Sequence, residues 1–287
     1  MKIYLIPFFL VIIASCDLQG VKDNEIINDS ILANNGEMNG VDPNGMMLVD
    51  SIDGKPNEMV YNRNDGLRIE WTKKNETGQI GLNDVVMVNY TARVAAGEEY
   101  DSNAELGEPV PLKTNIGMMI RGWEEAMLLM HVGDKGRIMI PNALAYGKDG
   151  YIDIVPPDAD IIVEIEIVSR IEPIVLDEGV KVYKWKTANT GKTPTKSQLI
   201  TFDYFAYTVG KGAKMYDNSY KNEAPFSFKF EDAGVVDGLH HGMSVMKEGE
   251  NAFIEIPAEL AYGKQGLIDH VPSNTSIVYD VRVTSIK

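Results

Sequence analysis

Apolar and polar residues alternate in short runs along most of this chain. Val86, Val88 and Tyr90 alternate with polar or softer positions, as do Ile138 and Ile140, and Val163, Ile165 and Ile167 enclose Glu164 and Glu166. A two-residue period is that of a half-buried strand. Near the end Tyr279, Val281 and Val283 repeat the pattern, with Asp280 and Arg282 expected to face out. A helical period governs other stretches. Trp123, Ala126, Met127 and Met130 fall at i, i+3, i+4 and i+7, and Leu239, Gly242, Met243 and Met246 follow the same spacing. Each set makes one apolar helical face. Gly133 and Gly249 stand where a C-terminal cap would end these helices. The pattern predicts an α+β arrangement, in which an antiparallel sheet is covered on one face by a short helix.

The same pattern occurs twice, 116 residues apart. Tyr100-Asp101 returns as Tyr216-Asp217, Gly122 as Gly238, and Met127, Met130 and Gly133 as Met243, Met246 and Gly249. The match from Ile140-Pro141 through Leu144-Ala145-Tyr146-Gly147-Lys148 to Ile256-Pro257 through Leu260-Ala261-Tyr262-Gly263-Lys264 is too long in one register for chance. Ile152-Asp153, Val155 and Pro156 then return as Ile268-Asp269, Val271 and Pro272. Before Tyr100 the offset falls to about 113, pairing Gly66 with Gly179, so the second copy gained residues in its early loops. Such a repeat predicts two domains, 64–172 and 173–287.

The residues before the repeat read differently. After Lys2, an uncharged run rich in Ile, Leu and Phe extends from Ile3 to Ala14, followed by Ser15 and Cys16. That run is shorter than the roughly 20 residues a membrane-crossing helix needs, and it has the layout of a secretory signal. Ile13-Ala14-Ser15-Cys16 resembles the bacterial lipobox, which implies a signal peptide over 1–15, lipidation of Cys16 and attachment to the membrane of a bacterial cell envelope. An ordinary cleaved signal with an incidental Cys16 is the alternative. Residues 16–63 are rich in Asn, Asp, Gly, Glu and Ser with scattered apolar positions, and read as a flexible tether.

Cys16 is the single cysteine, so no internal disulfide is available and stability must come from hydrophobic cores. A net charge of -15 would repel phosphate backbones, so nucleic acid is not an expected partner. His131, His240, His241 and His270 lack metal-ligand spacing and are expected at the surface; no metal and no cofactor are expected. Thr190-Gly191-Lys192-Thr193 has Lys186 where a phosphate-binding loop needs its first glycine. There is no Gly-x-Ser-x-Gly nucleophile motif.

Taken together, the Tyr-Asp pair, Gly122-Trp123-Glu124-Glu125, Ile-Pro ahead of Ala-Tyr-Gly, and Val155-Pro156-Pro157 resemble the FKBP-type peptidyl-prolyl isomerases. The resemblance covers most of the chain after the tether and implies a bent antiparallel sheet wrapped over one helix, with an apolar pocket between them. Carried over position by position, it implies catalytic roles for Tyr100, Asp101, Trp123, Tyr146 and Val155, with Tyr90, Leu112, Met119, Ile120 and Val163 completing the first pocket. In the second copy Tyr216, Asp217, Phe226, Tyr262 and Val271 take the catalytic positions, with Tyr204, Val235, Val236, Leu239 and Tyr279 binding substrate. Leu112 and Val163 depart from the family's usual Phe, Leu239 from its Trp, and Ser273 from its second Pro.

The resemblance implies recognition of Xaa-Pro segments of exported or unfolded proteins by a monomeric, lipid-anchored chain. Tyr146 and Tyr262 would donate to a substrate carbonyl, the backbone N–H groups of Val155 and Val271 would supply a second donor, and Asp101 and Asp217 would orient polar neighbours. Two readings stay open: an isomerase assisting folding at the envelope, and a non-catalytic, chaperone-like module with degenerate pockets.

Overall fold

The computed structural model describes residues 46–52 and 55–287; Cys16, the signal region and the tether as far as residue 45 lie outside the described residues. The expected tether to residue 63 is corrected at its far end. β1 (Met46–Ile52) and β2 (Lys55–Asn62) pair antiparallel, and β2 continues onto β3 (Arg68–Lys73). Val60, fully buried, anchors this hairpin. The first sheet therefore begins well before residue 64. Scattered apolar residues within an Asn- and Asp-rich stretch hid that signal.

The rest of the first sheet comprises β4 (Val85–Val94), β5 (Glu99–Ser102), β6 (Val110–Lys113), β7 (Lys135–Ile140) and β8 (Ile161–Ile171). Its order is β1-β2-β3-β7-β8-β4-β5, with β6 also on β4. The second sheet contains β9 (Ile174–Val175), β10 (Lys181–Lys186), β11 (Leu199–Thr208), β12 (Met215–Asn218), β13 (Phe226–Lys229), β14 (Asn251–Ile256) and β15 (Ile277–Ile286). Its order is β12-β11-β15-β14-β10-β9, with β13 on β11. From β3 onward the two sheets share one topology, since β3, β7, β8, β4, β5 and β6 correspond to β10, β14, β15, β11, β12 and β13. The repeat in sequence is thus a repeat of fold.

Among the described residues the α-helices are α1 (Arg121–Met127) and α2 (Asp237–Met243). Each ends before the position expected from its apolar face. Met130 and Met246 are buried beyond the last turn. Gly133 and Gly249 do not cap the helices: with φ of +88° and +83°, they turn the chain into β7 and β14, and their N–H groups bond to Ile167 and Val283 at 2.7 and 2.8 Å. Positive φ is the conformation glycine adopts without penalty.

In β8, Val163, Ile165 and Ile167 are buried and alternate with more open glutamates, as a half-buried strand requires. In β15 the outward expectation fails. Asp280 is fully buried and accepts from the Arg282 guanidinium at 3.1 Å, which in turn lies over the rings of Trp185 and Phe205. Alternation tells which face a residue takes; it does not tell whether that face is covered.

The described chain gathers into two compact units, one holding residues up to 80 with 88–109 and 119–168, the other holding 81–87, 110–118 and 169–287. The core of the second contains Phe202, Ile254, Ile256, Leu239, Met243 and Val281. Within this same unit Lys113 is fully buried, with its ammonium bonded to the Asn83 carbonyl at 2.6 Å and Glu255 at 2.8 Å and set over the Tyr183 ring. A buried ammonium persists only with its donors satisfied in this way.

Candidate functional site

Strand alternation sets the walls of a cavity of about 350 Å³ in the second copy. Phe202 and Tyr204, two residues apart on β11, project from one face, with Tyr279 beside them on β15 and Phe226 on β13. Tyr204 meets Tyr279 at 5.5 Å and Phe226 edge-on at 6.1 Å; Phe202 meets Phe226 edge-on at 5.7 Å. Edge-on and tilted pairs at these distances are favourable and fix ring orientation. Gly234, Val235 and Val236 close one side as the chain enters α2, and Leu239 of α2 and Tyr262 complete the lining.

One acid faces this aromatic enclosure. Asp217, on β12, accepts the Tyr204 hydroxyl at 2.7 Å on one oxygen and the Lys221 ammonium at 3.0 Å on the other. Desolvation would raise its pKa, but these two bonds outweigh it and hold the carboxyl below its usual value. The clamp locks Tyr204 in place and gives the pocket a fixed anionic edge.

Of the second-copy positions inferred from sequence, Tyr204, Asp217, Phe226, Val235, Val236, Leu239, Tyr262 and Tyr279 come together here. Tyr216 and Val271 do not. Tyr216 is 7% exposed and stands behind Tyr262, edge-on at 6.3 Å, while Val271 belongs to the core. The expected backbone donors are corrected as well. The Val271 N–H is bonded to the Leu267 carbonyl at 2.8 Å and that of Val155 to Tyr151 at 3.0 Å. The reason is a tight turn: Gly150 and Gly266, both at φ +64°, lie so close to the Val155 and Val271 carbonyls that no side chain fits. The Val236 amide accompanies a pocket wall and makes no backbone hydrogen bond among the described residues, so it is the better-placed donor. Sequence reasoning missed Phe202 and Gly234; two-residue spacing from Tyr204 would have found Phe202.

The first copy has the same clamp in a closed setting. Tyr90 on β4 donates to Asp101 on β5 at 2.7 Å. Here desolvation prevails over the Tyr90 bond, and the Asp101 carboxyl is held above its usual value. Tyr90, Trp123 and Tyr146 are 4%, 6% and 6% exposed, whereas Phe226 of the second copy is 38% exposed. Tyr90 packs edge-on against Trp123 at 5.1 Å, and Tyr146 stacks on Tyr151 at 5.4 Å. Tyr100 is edge-on to Tyr146 at 6.4 Å, and burial pushes its phenol up to about 12. Leu112, Met119, Val155 and Val163 are buried; Ile120 is half-buried at the start of α1.

The two loops leading into the helices are equally long, so length does not separate open from closed. Gly234 and Val235 stand where the first copy has Met118 and Met119, both buried. The histidines expected at the surface are only partly so. His270 is exposed, but His240 accepts from the Glu231 amide at 3.1 Å and packs edge-on to Phe228 and Phe230, and His131 and His241 are half-buried.

Over residues 77–168 and 190–284 the chain matches the FKBP-type peptidyl-prolyl cis-trans isomerase family. Peptidyl-prolyl cis-trans isomerase FKBP10 of Homo sapiens is 24% identical over 208 residues, which are 70% of this chain and 34% of that protein. FK506-binding protein 2 of Yarrowia lipolytica is 41% identical over 86 residues, 30% of this chain and 60% of that protein. FK506-binding protein 1 of Eremothecium gossypii is 36% identical over 84 residues, 29% of this chain and 74% of that protein. The structure of the three FKBP domains of wheat FKBP73 aligns with 78% of this chain at 22% identity and a TM-score of 0.40. The matched region is thus about a third of the length of FKBP10. With both copies matched, the chain belongs to the FKBP-type peptidyl-prolyl cis-trans isomerase family and carries two domains of that family in tandem.

Proposed function

We propose that this chain isomerises Xaa-Pro bonds of exported or unfolded polypeptides, and that the second domain carries the turnover. The observation that carries the reading is the open aromatic pocket clamped by Tyr204 and Asp217. Prolyl rotation faces a barrier of about 18–20 kcal/mol because the C–N bond has partial double-bond character. No bond is broken, so the site has only to bind the twisted amide more tightly than the planar one. Phe202, Tyr204, Phe226 and Tyr279 enclose a proline ring, and Leu239 forms an apolar floor beneath it. In the twisted state resonance is lost and the carbonyl becomes less polar, so a desolvated apolar site favours it over the planar amide. The Tyr262 hydroxyl and the Val236 N–H hold the flanking carbonyls in register.

A second reading suits the first domain, whose aromatic positions are nearly closed to solvent. It holds client chains without useful turnover. Attachment to a bacterial envelope through Cys16, and folding assistance there, extend the proposal from the sequence of residues 1–16. Among the described residues no helix is long and apolar enough to cross a membrane.

The cis-to-trans rate of a short Xaa-Pro peptide, measured with the full chain, tests the reading. Acceleration that Phe226→Ala removes is the expected result. A folded chain that accelerates nothing would leave a binding module.

A further inference from the structure

A second cavity lies entirely within the first unit. It has a volume of about 630 Å³ and lies between the β4–β5 turn and the loop ahead of β8. Val94, Ala95, Ala96, Ile154 and Pro156 give it an apolar floor, and the Ala95 N–H bonded to the Asp160 carbonyl at 2.8 Å ties its two walls together. Glu98, Glu99, Asp158 and Asp160 rim it, all four exposed and none in an ion pair among the described residues. Tyr100, a first-copy site residue, lines it as well, so the groove runs on from that closed site.

The second copy serves as an internal control. Its corresponding turn, 209–215, carries Lys211 and Lys214 and no carboxylate, and Asn274 and Ser276 replace Asp158 and Asp160. Two sheets of one topology therefore form with either charge. The fold does not require the acidic rim; exposed Glu105, outside the groove, is likewise a lysine, Lys221, in the second copy, so the groove is distinguished by its shape together with its charge.

We propose that this groove binds an extended client segment in which Lys or Arg alternates with small apolar residues, so that the first domain holds chain while the second turns over proline. Small apolar side chains fit the floor, and cationic ones reach the four carboxylates; an extended strand presents the two kinds to opposite sides. The proposal rests on the reading that clients are unfolded polypeptides, and its test does not depend on turnover.

The test measures binding to the full chain of a proline-free ten-residue peptide of alternating Lys and Val, labelled with a fluorophore, beside its Glu-Val counterpart. The triple variant Glu98→Gln, Glu99→Gln, Asp158→Asn should weaken the Lys-Val peptide about tenfold, since several weak exposed pairs are lost together. Ala96→Trp, which fills the floor at constant charge, should weaken it as well, with folding checked by circular dichroism. Neutralising Glu105 and Glu108, exposed carboxylates elsewhere on the same unit, should leave binding within about twofold. Equal weakening by that control, or equal binding of the Glu-Val peptide, would overturn the proposal in favour of diffuse attraction to an acidic chain. Prolyl isomerisation measured in parallel reads the other proposal separately: its absence with groove binding intact sinks the enzyme, not the groove.

Discussion

Removing one hydroxyl from each tyrosine clamp should damage the two domains unequally. Tyr90→Phe and Tyr204→Phe keep the rings and their packing, and delete bonds of the same length, 2.7 Å, to Asp101 and Asp217. A hydrogen bond to a charged group contributes about 1.5–3 kcal/mol, and its loss is worst where the partner is left buried. Tyr90 is 4% exposed, and Asp101 already sits above its usual carboxylate value through desolvation, with the Tyr90 bond pulling the other way. Tyr90→Phe should therefore cost about 2–3 kcal/mol. Asp217 keeps Lys221 at 3.0 Å and its side chain is 44% exposed, so water replaces the lost donor and Tyr204→Phe should cost about 1 kcal/mol. The two domains need separate readouts, because a chain with two compact units is not a two-state system. Native-state hydrogen exchange resolved by peptide, followed on β4 and β11 across a denaturant series, supplies them. Repeating the series in acid adds a check: once Asp101 is protonated the charged component disappears and the Tyr90→Phe deficit should shrink. Equal losses in the two domains, or a Tyr90→Phe deficit independent of pH, would refute the argument from burial.

Three further outcomes follow from the same geometry. Phe202→Ala removes a fully buried ring that meets Tyr204, Phe226 and Phe228, so it should destabilise the second unit by about 3–5 kcal/mol and raise KM for Xaa-Pro peptides, read by denaturation and steady-state kinetics. Gly238→Ala would gain helix propensity, but its Cβ meets the Ile256 side chain, so a net loss of about 1–3 kcal/mol in thermal unfolding is expected; a stabilised variant would contradict the packing. The two aspartates should show opposite pH linkage. Asp217, lowered on folding, stabilises above its unfolded value and loses that contribution as pH falls through the folded one; Asp101, raised on folding, loses stability as pH rises from its unfolded value through its folded one. Asp217→Asn and Asp101→Asn should each flatten the corresponding slope in domain-resolved exchange from pH 3 to 7.

Much of the fold was legible because two periodicities and a long repeat agreed. Val163, Ile165 and Ile167 marked a strand, and the same topology recurred wherever the register held. The errors have physical causes. The β1–β2 hairpin lacks clean alternation. Asp280 alternates with Tyr279 and Val281 yet is fully buried, a tertiary fact that a strand's own pattern cannot contain. Eight of the ten second-copy positions carried over by resemblance line the second pocket, but not Tyr216 or Val271, and Phe202 and Gly234 were not among them. The pocket's openness was not legible. That Tyr90 and Trp123 are buried while Phe226 is exposed goes with small local differences, such as buried Met118 and Met119 where the second copy has Gly234 and Val235. The Val155 and Val271 donors were misassigned because a local turn had already taken up their N–H groups.

The measurement that tests the central claim most directly is the cis-to-trans rate of an Xaa-Pro peptide with four forms of the full chain: wild type, Tyr262→Phe, Phe226→Ala and Tyr146→Phe. The account predicts acceleration by wild type, a loss of about tenfold or more in both second-domain variants, equivalent to at least 1.4 kcal/mol of lost transition-state binding, and a rate near wild type for Tyr146→Phe. A rate that falls with Tyr146→Phe and survives the second-domain changes would place turnover in the first domain and contradict it.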